Sequence, residues 1–563
     1  MRAPKVLLVV SSLLIGLVAA DWQFRSRPDL APPRLNITIP ATKDVQKGYL
    51  FLAPFAGYPD TPTERHGPRQ AAPYIFRDNG DLVWSGYGLY SIWATNFQAG
   101  RWKGKDILFS FEGDHNAGYG HGHGHITIFD QHYETIRELR AGRHKLVDKH
   151  EFRIVNEKTG LIEVYQPVPR DLTAYGAKPE QQWIVNAIFQ ELDIETGKLL
   201  FEWHSLDHVS PDEAILPINP GQAGSGYNSS DAWDYFHINS VDKNSEGDYI
   251  ISARDACAIH KINGTSGEII WRLNGNKSDF KVHKEAEFCF QHHARWFPSS
   301  EENIEIISLY DNSAHGTEHS SGREVRTADF SSGKILRLNT TSWTAELIQG
   351  YYPPPGHKLL SKSQGSTQVL PNGNVLVNWG SEGAVTEYTA DGKPIFHAYM
   401  DSGDLGKGVE NYRGFRFNWT GLPNEDPAVV ALKGDDDKTT VYVSWNGDTE
   451  TAVWRFFKVS AGFGSKTFLG ETKRTSFETK WVVPSGKNVG NVAAEAVDKH
   501  GRVLRTTGVA KVEAEVLPAG HARGASHGNI TDKSQKILGL EEAPSSGWEE
   551  STIYKIFRWA KDL

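Results

Sequence analysis

Short runs of alternating apolar and polar residues fill the first 420 positions, broken at near-regular intervals by Gly, Asp and Asn. A period of two held over four to eight residues is the pattern of a half-buried strand, not of a helix. One phrase recurs six times: FRDNGDLVW around Asp78, IFDQHYETI around Asp130, ELDIETGKLLFEW around Asp193, KINGTSGEIIWRL around Asn263, ADFSSGKILRL around Phe330 and EYTADGKPIF around Asp391. Each sets an apolar strand, a turn and a second apolar strand in order, at a spacing of roughly 50 to 70 residues, which is the outer hairpin of a four-stranded blade. One inner hairpin fits between successive phrases. Six phrases therefore predict an all-β, six-bladed β-propeller over 21–420, because separate sandwiches would need linkers that the chain lacks there.

After Trp419 the texture changes to closely spaced alternating runs around Trp445, and a small immunoglobulin- or fibronectin-like β-sandwich is expected over 421–520. The tail 521–563 is polar and then carries WEESTIYKIFRWAKDL, a short amphipathic helix. Composition agrees with the β reading: 17 Trp, 54 Gly and 27 Pro suit pleated surfaces joined by turns. Residues 1–20 place Arg2 and Lys5 before an apolar run and end in Ala19 and Ala20, the layout of a cleavable signal peptide, so a secreted, extracellular, soluble glycoprotein is expected. Sequons at Asn36, Asn228, Asn263, Asn276, Asn339, Asn418 and Asn529 fit that compartment. There Cys257 and Cys289 leave two readings open, one disulfide or two buried thiols. A net charge of −9 with no basic patch excludes nucleic acid as an expected partner, and no second apolar stretch calls for a membrane.

Histidines carry the candidate chemistry. His150 opens HEFRIVNEKTGLIEVY and His237 opens HINSVDKNSEGDYIIS, each with a glycine, Gly160 and Gly247, ten residues on. His292 and His293 open HHARWFPSSEENIEIISLY. Equivalent strand starts in a radial repeat converge on one axis, so these rings would line one pocket. Neutral imidazoles serve there as nucleophile or base, and Arg254 or Arg323 as anion clamps. Asp311 and Asn312 end a neighbouring inner strand, where they would orient a histidine. The last inner hairpin carries Ser363, Gln364 and Ser366 instead of histidine. His121, His123 and His125 alternate, which in a strand places them on one face about 7 Å apart; without a carboxylate or cysteine at a familiar spacing they read as solvated residues, and neither a metal nor a cofactor is expected.

The phrases DYFHINSVDKNSEGDYIISARD, FQHHARW with SLYDN, and QGSTQVLPNGNVLVNWGSEGAVTEY resemble the arylsulfotransferase (ASST) family, in particular its secreted fungal branch, and the resemblance runs from about residue 70 to 520. It implies a six-bladed propeller that moves a sulfuryl group from an aryl sulfate to a phenol through a sulfated histidine, without the nucleotide sulfate donor. By that resemblance His237 matches the histidine of a D-W-x-H-x-N-S phrase, His292 that of a Q-H-x-A phrase, and Arg323 the arginine after F-D-N. The implied roles are His292 as nucleophile, His237 and His150 as oxyanion donors or proton carriers, and Arg254, Arg323, His293, Gln364 and Asp311 around a small aromatic substrate. The competing reading is a propeller that binds, or acts differently on, an aromatic metabolite or polysaccharide.

Overall fold

The computed structural model describes residues 21–57, 68–115, 120–218, 223–316, 325–400, 408–460, 465–484, 487 and 489–515. Residues 1–20 with the expected signal peptide, the tail 521–563 with the expected helix, Asn529 and Arg323 lie outside the described residues. Among the described residues no helix is long and apolar enough to cross a membrane.

Six antiparallel sheets follow one another along the chain. The second blade runs Trp93–Trp102, Lys105–Gly113, Gly124–Phe129, Thr135–Leu139, and the third Phe152–Val155, Thr159–Pro169, Trp183–Asp193, Leu199–His204. The fourth runs Ile238–Lys243, Tyr249–Ala253, Ala258–Ile262, Ile269–Leu273. In the fifth, His292–Phe297, Ile304–Asp311, Ser332–Asn339 and Thr344–Tyr351 gain a parallel fifth strand, Lys281–Val282. In the sixth, Ser366–Val369, Val375–Asn378, Ala384–Tyr388 and Pro394–Tyr399 gain Asn36–Ile39. The first blade is shared between the two ends of the ring, since Phe415–Phe417 pairs with Tyr49–Leu52 ahead of Tyr74–Phe76 and Leu82–Ser85. That pairing of late strand with early strand closes the ring and leaves each blade only short inner and outer edges.

Five of the six recurring phrases lie at outer turns, as their spacing predicts. The phrase around Phe330 instead leads into the third strand of its blade, and the outer turn there is formed after Asn339. Gly160 likewise is a strand residue: the turn before it uses Asn156 and Glu157 at φ 50° and 53°. Glycine is needed at 160 because a Cβ would sit 2.4 Å from the ring of Phe152.

Beyond Trp419, eight strands join into one nearly closed sheet rather than two facing ones. A parallel pair, Ala428–Lys433 with Ala510–Ala514, links what would be the two layers, and Trp454, Phe456, Val441 and Val492 fill the interior. This sheet is fastened to the propeller where the Asn446 side chain bonds the backbone of Ser85 and the Tyr133 hydroxyl donates to the carbonyl of Gly447. Cys257 and Cys289 form a disulfide between the fourth and fifth blades. At a sequence separation of 32 it contributes about 3 to 4 kcal/mol by chain entropy.

Candidate active site on the propeller axis

The inner strand starts meet as the repeat requires. The rings of His150 and His237 lie 4.9 Å apart between centroids, and Tyr412, which precedes the closing strand of the first blade, stands 5.3 Å from His150 and 6.3 Å from His292. His121 stacks on Tyr165 at 4.3 Å and lies 5.7 Å from His237. Four histidines and two tyrosines thus share one small volume, in walls that leave His121 the most open of the four, at 14% side-chain exposure.

Buried aspartates orient three of the four rings. His237 Nδ1 lies 2.5 Å from an oxygen of Asp234, three residues earlier, and His121 Nε2 reaches the same oxygen at 2.8 Å. His150 Nδ1 bonds to Asp148, whose second oxygen accepts the amide of Gly122. A carboxylate on Nδ1 selects the tautomer with N–H there and leaves Nε2 as the lone-pair nitrogen, so His150 and His237 each present a basic nitrogen. His292 differs. Its Nδ1 faces Asn312 Oδ1 at 2.7 Å, while its Nε2 accepts the backbone N–H of Gln364 at 3.2 Å, and both nitrogens are occupied.

Burial pushes the imidazolium forms of His150 and His292 well down, and nearby basic groups add to it, His237 and Lys149 for the first and Arg254 for the second. These rings are neutral near neutral pH. Burial tends to raise Asp234, but the charges and hydrogen bonds of His237 and His121 hold it below the usual carboxylate range. Arg254 donates to Asp255 at 3.1 Å and to the carbonyl of Lys362 at 3.0 Å, and its buried Nε–H has no hydrogen-bond partner among the described residues. His315, whose Nε2 is 3.9 Å from Asp255, lies beside this arginine with a buried Nδ1 that has no hydrogen-bond partner among the described residues.

The structure therefore brings His150, His237, His292, Arg254 and Gln364 together, and it sets His293 and Asp311 in the walls. The His293 ring packs against Phe415 and its Nδ1 bonds to the carbonyl of Thr367. Asp311 pairs with Lys334 at 2.8 Å and caps the amides of Cys289 and Ser313, so Asn312 is the residue that orients a histidine. The alternating histidines do not share a face, because only His125 lies within the strand; His121, His123 and His125 turn to Asp234, Asp114 and Glu112 in turn. His121, expected to be solvated, instead belongs to this cluster, and Tyr165, Tyr412, Asp148 and Asp234 escape the sequence reading. The D-x-H of Asp148 and His150 and the D-x-x-H of Asp234 and His237 are the signals that would have found the two aspartates.

At the rim, Glu382 lies on the turn Gly380–Glu382 after the second strand of the sixth blade, and burial raises its carboxyl from 4.5 to about 7 against the opposing charge of Lys362. An acid that is harder to ionise in the folded state stabilises the fold fully below its unfolded value and loses that advantage as pH rises. Stability is expected to fall between pH 4.5 and about 7 through this group. Thermal unfolding of Glu382→Gln across that range checks it: the variant should lose this part of the decline, and an unchanged slope would reject the assignment.

A six-bladed propeller with a histidine-lined axis is the class that fold and site define. The family description Arylsulfotransferase (ASST) matches residues 98–401, more than half of the chain, and the chain belongs to that family. No curated protein matches it. Among solved structures it is similar to a protein of unknown function from Bacteroides caccae (9% identity, 66% of this chain and 100% of that one, TM-score 0.35). It is also similar to the hydrazine synthase of Kuenenia stuttgartiensis (8%, 62% and 80%, TM-score 0.30) and to a streptogramin B lyase (10%, 63% and 80%, TM-score 0.24). Superpositions of that quality bear on neither activity nor ligand.

Proposed function

We propose that the protein is a secreted sulfuryl-transfer enzyme of the fungal branch of its family, moving the group from an aryl sulfate to a phenolic acceptor by way of an axial histidine. The observation that carries this reading is the pair of neighbouring imidazoles, His150 and His237, each held at Nδ1 by a buried aspartate that leaves Nε2 as the basic nitrogen. Because both nitrogens of His292 are engaged, the nucleophile assigned here is His237. Its Nε2 attacks sulfur, the bond from sulfur to the aryl oxygen breaks, and the phenolate leaves with a proton from a neighbouring tyrosine hydroxyl. In the second half an acceptor phenol attacks the same sulfur, the N–S bond breaks, and the phenol's proton passes to the base that was emptied in the first half. Arg254, with a spare N–H, faces the developing charge on the sulfuryl oxygens. The leader-like first 20 residues and the sequons support secretion.

Gln364, in place of a histidine at the last inner hairpin, favours the second reading, a propeller that binds an aromatic ligand or acts on it without sulfuryl transfer. The deciding experiment offers the purified protein a chromogenic aryl sulfate with and without a second phenol. Release of the coloured phenol that depends on the acceptor supports transfer. Folded protein inert towards several aryl sulfates in the presence of phenols rejects it and leaves the binding reading.

A further inference from the structure

Beside the proposed nucleophile the interior holds a group that hydrogen bonding does not satisfy. Glu163, in the second strand of the third blade, is 1% exposed, and neither of its carboxylate oxygens has a hydrogen-bond partner among the described residues. Buried carboxylates nearby are answered. Glu151 receives Arg295 at 2.7 Å and Arg413 at 2.9 Å, and Asp234 receives two imidazoles. A carboxylate in a low-dielectric interior without such partners is expensive, and such a group is either protonated or neutralised by a cation.

Ligand atoms of Asp148, His150 and Glu163 all lie within 4.8 Å of one another, and all three residues are buried. Two carboxylate oxygens and one imidazole nitrogen form a mixed O,O,N donor set, which suits a divalent first-row ion such as Mn²⁺ or Zn²⁺ better than the oxygen-only preference of Mg²⁺ or Ca²⁺. The neighbouring group of His121, Asp234 and His237 is as compact, but its polar atoms already bond to one another and leave no unpaired carboxylate. We infer that Asp148, His150 and Glu163 form a binding site for one divalent transition-metal ion on the propeller axis. Held there, the cation would be bound to His150 and place positive charge beside His237, in a site already suited to an anionic ligand. The inference stands whether or not the protein transfers sulfuryl groups, since its readout is metal.

The test uses the whole secreted protein, stripped with a chelator and titrated calorimetrically with MnCl₂ and separately with ZnCl₂. Wild-type protein should bind one equivalent of at least one of these ions. Glu163→Gln keeps the size of the side chain and should weaken binding tenfold or more, and Asp148→Asn should do the same. Asp114→Asn, at the exposed pair with His123, should bind like wild type. Electron paramagnetic resonance of the Mn²⁺-loaded protein adds a second readout, with a nitrogen coupling that His150→Gln removes. No saturable binding by the stripped wild-type protein overturns the inference. So does binding by folded Glu163→Gln with unchanged affinity, which would mean that Glu163 is a protonated acid and not a ligand.

Discussion

His237→Ala is expected to lower aryl-sulfate turnover by about a thousandfold or more, while His292→Ala lowers it much less. A thousandfold corresponds to about 4 kcal/mol of transition-state stabilisation, the scale on which a covalent route differs from binding alone. The contrast follows from hydrogen bonds, because Asp234 fixes one nitrogen of His237 and frees the other, whereas Asn312 and the amide of Gln364 take both nitrogens of His292. Asp234→Asn should cost about a hundredfold, because an amide in place of the carboxylate no longer selects the Nδ1–H tautomer or steadies positive charge on the ring. Steady-state rates for the three variants, with mass spectrometry of the quenched enzyme for a sulfuryl group on a histidine peptide, separate the cases. A dead His292→Ala beside an active His237→Ala would move the nucleophile back to His292.

The largest expected loss of stability comes from Arg413→Ala. Arg413 is fully buried and donates to Glu151 at 2.9 Å and to the carbonyl of Asn239 at 2.7 Å. Glu151 in turn holds Arg295 at 2.7 Å and the amide of Val241 at 3.1 Å. One carboxylate next to the axis thereby ties the closing strand of the first blade to the third, fourth and fifth blades. Removing one partner of such a network leaves charge buried and uncompensated, at about 3 to 5 kcal/mol. That is a large part of the roughly 5 to 15 kcal/mol that holds a typical fold together. Arg413→Lys should recover only part of it, since an ammonium cannot reproduce the planar fork. As a control, Arg101→Ala breaks an exposed pairing with Glu157 and should cost about 1 kcal/mol or less. Denaturant midpoints for the three variants decide the matter, and an Arg413→Ala midpoint no lower than that of Arg101→Ala would refute the network's role.

Much of this architecture is local and so was written in the chain. Alternation with turn residues at a regular interval specifies hairpins, and hairpins repeated six times with no linker have few ways to bury their faces other than around an axis. The histidines 150, 237 and 292 were visible for the same reason, because each opens an inner strand of the repeat. Where local signal fades the reading failed. The phrase at Phe330 resembles the other turns in composition, yet it lies in the connection before the third strand of the fifth blade, Ser332–Asn339, so the outer turn falls after Asn339. The two-layer expectation for the C-terminal region could not foresee the parallel pairing of Ala428–Lys433 with Ala510–Ala514, which joins residues some eighty positions apart.

What the sequence determined by itself is the fold class, the family phrases and the supply of imidazoles to one axis, all consequences of period and repetition. Only the tertiary structure decided what each imidazole can do. Asp234, three residues before His237, also reaches His121 from 113 residues away, Gln364 quenches His292 from the next blade, and Glu163 beside Asp148 has no hydrogen-bond partner among the described residues. A ring nitrogen's reactivity is set by the atom within 3 Å of it, and in a closed ring of blades that atom comes from wherever the chain returns to the axis.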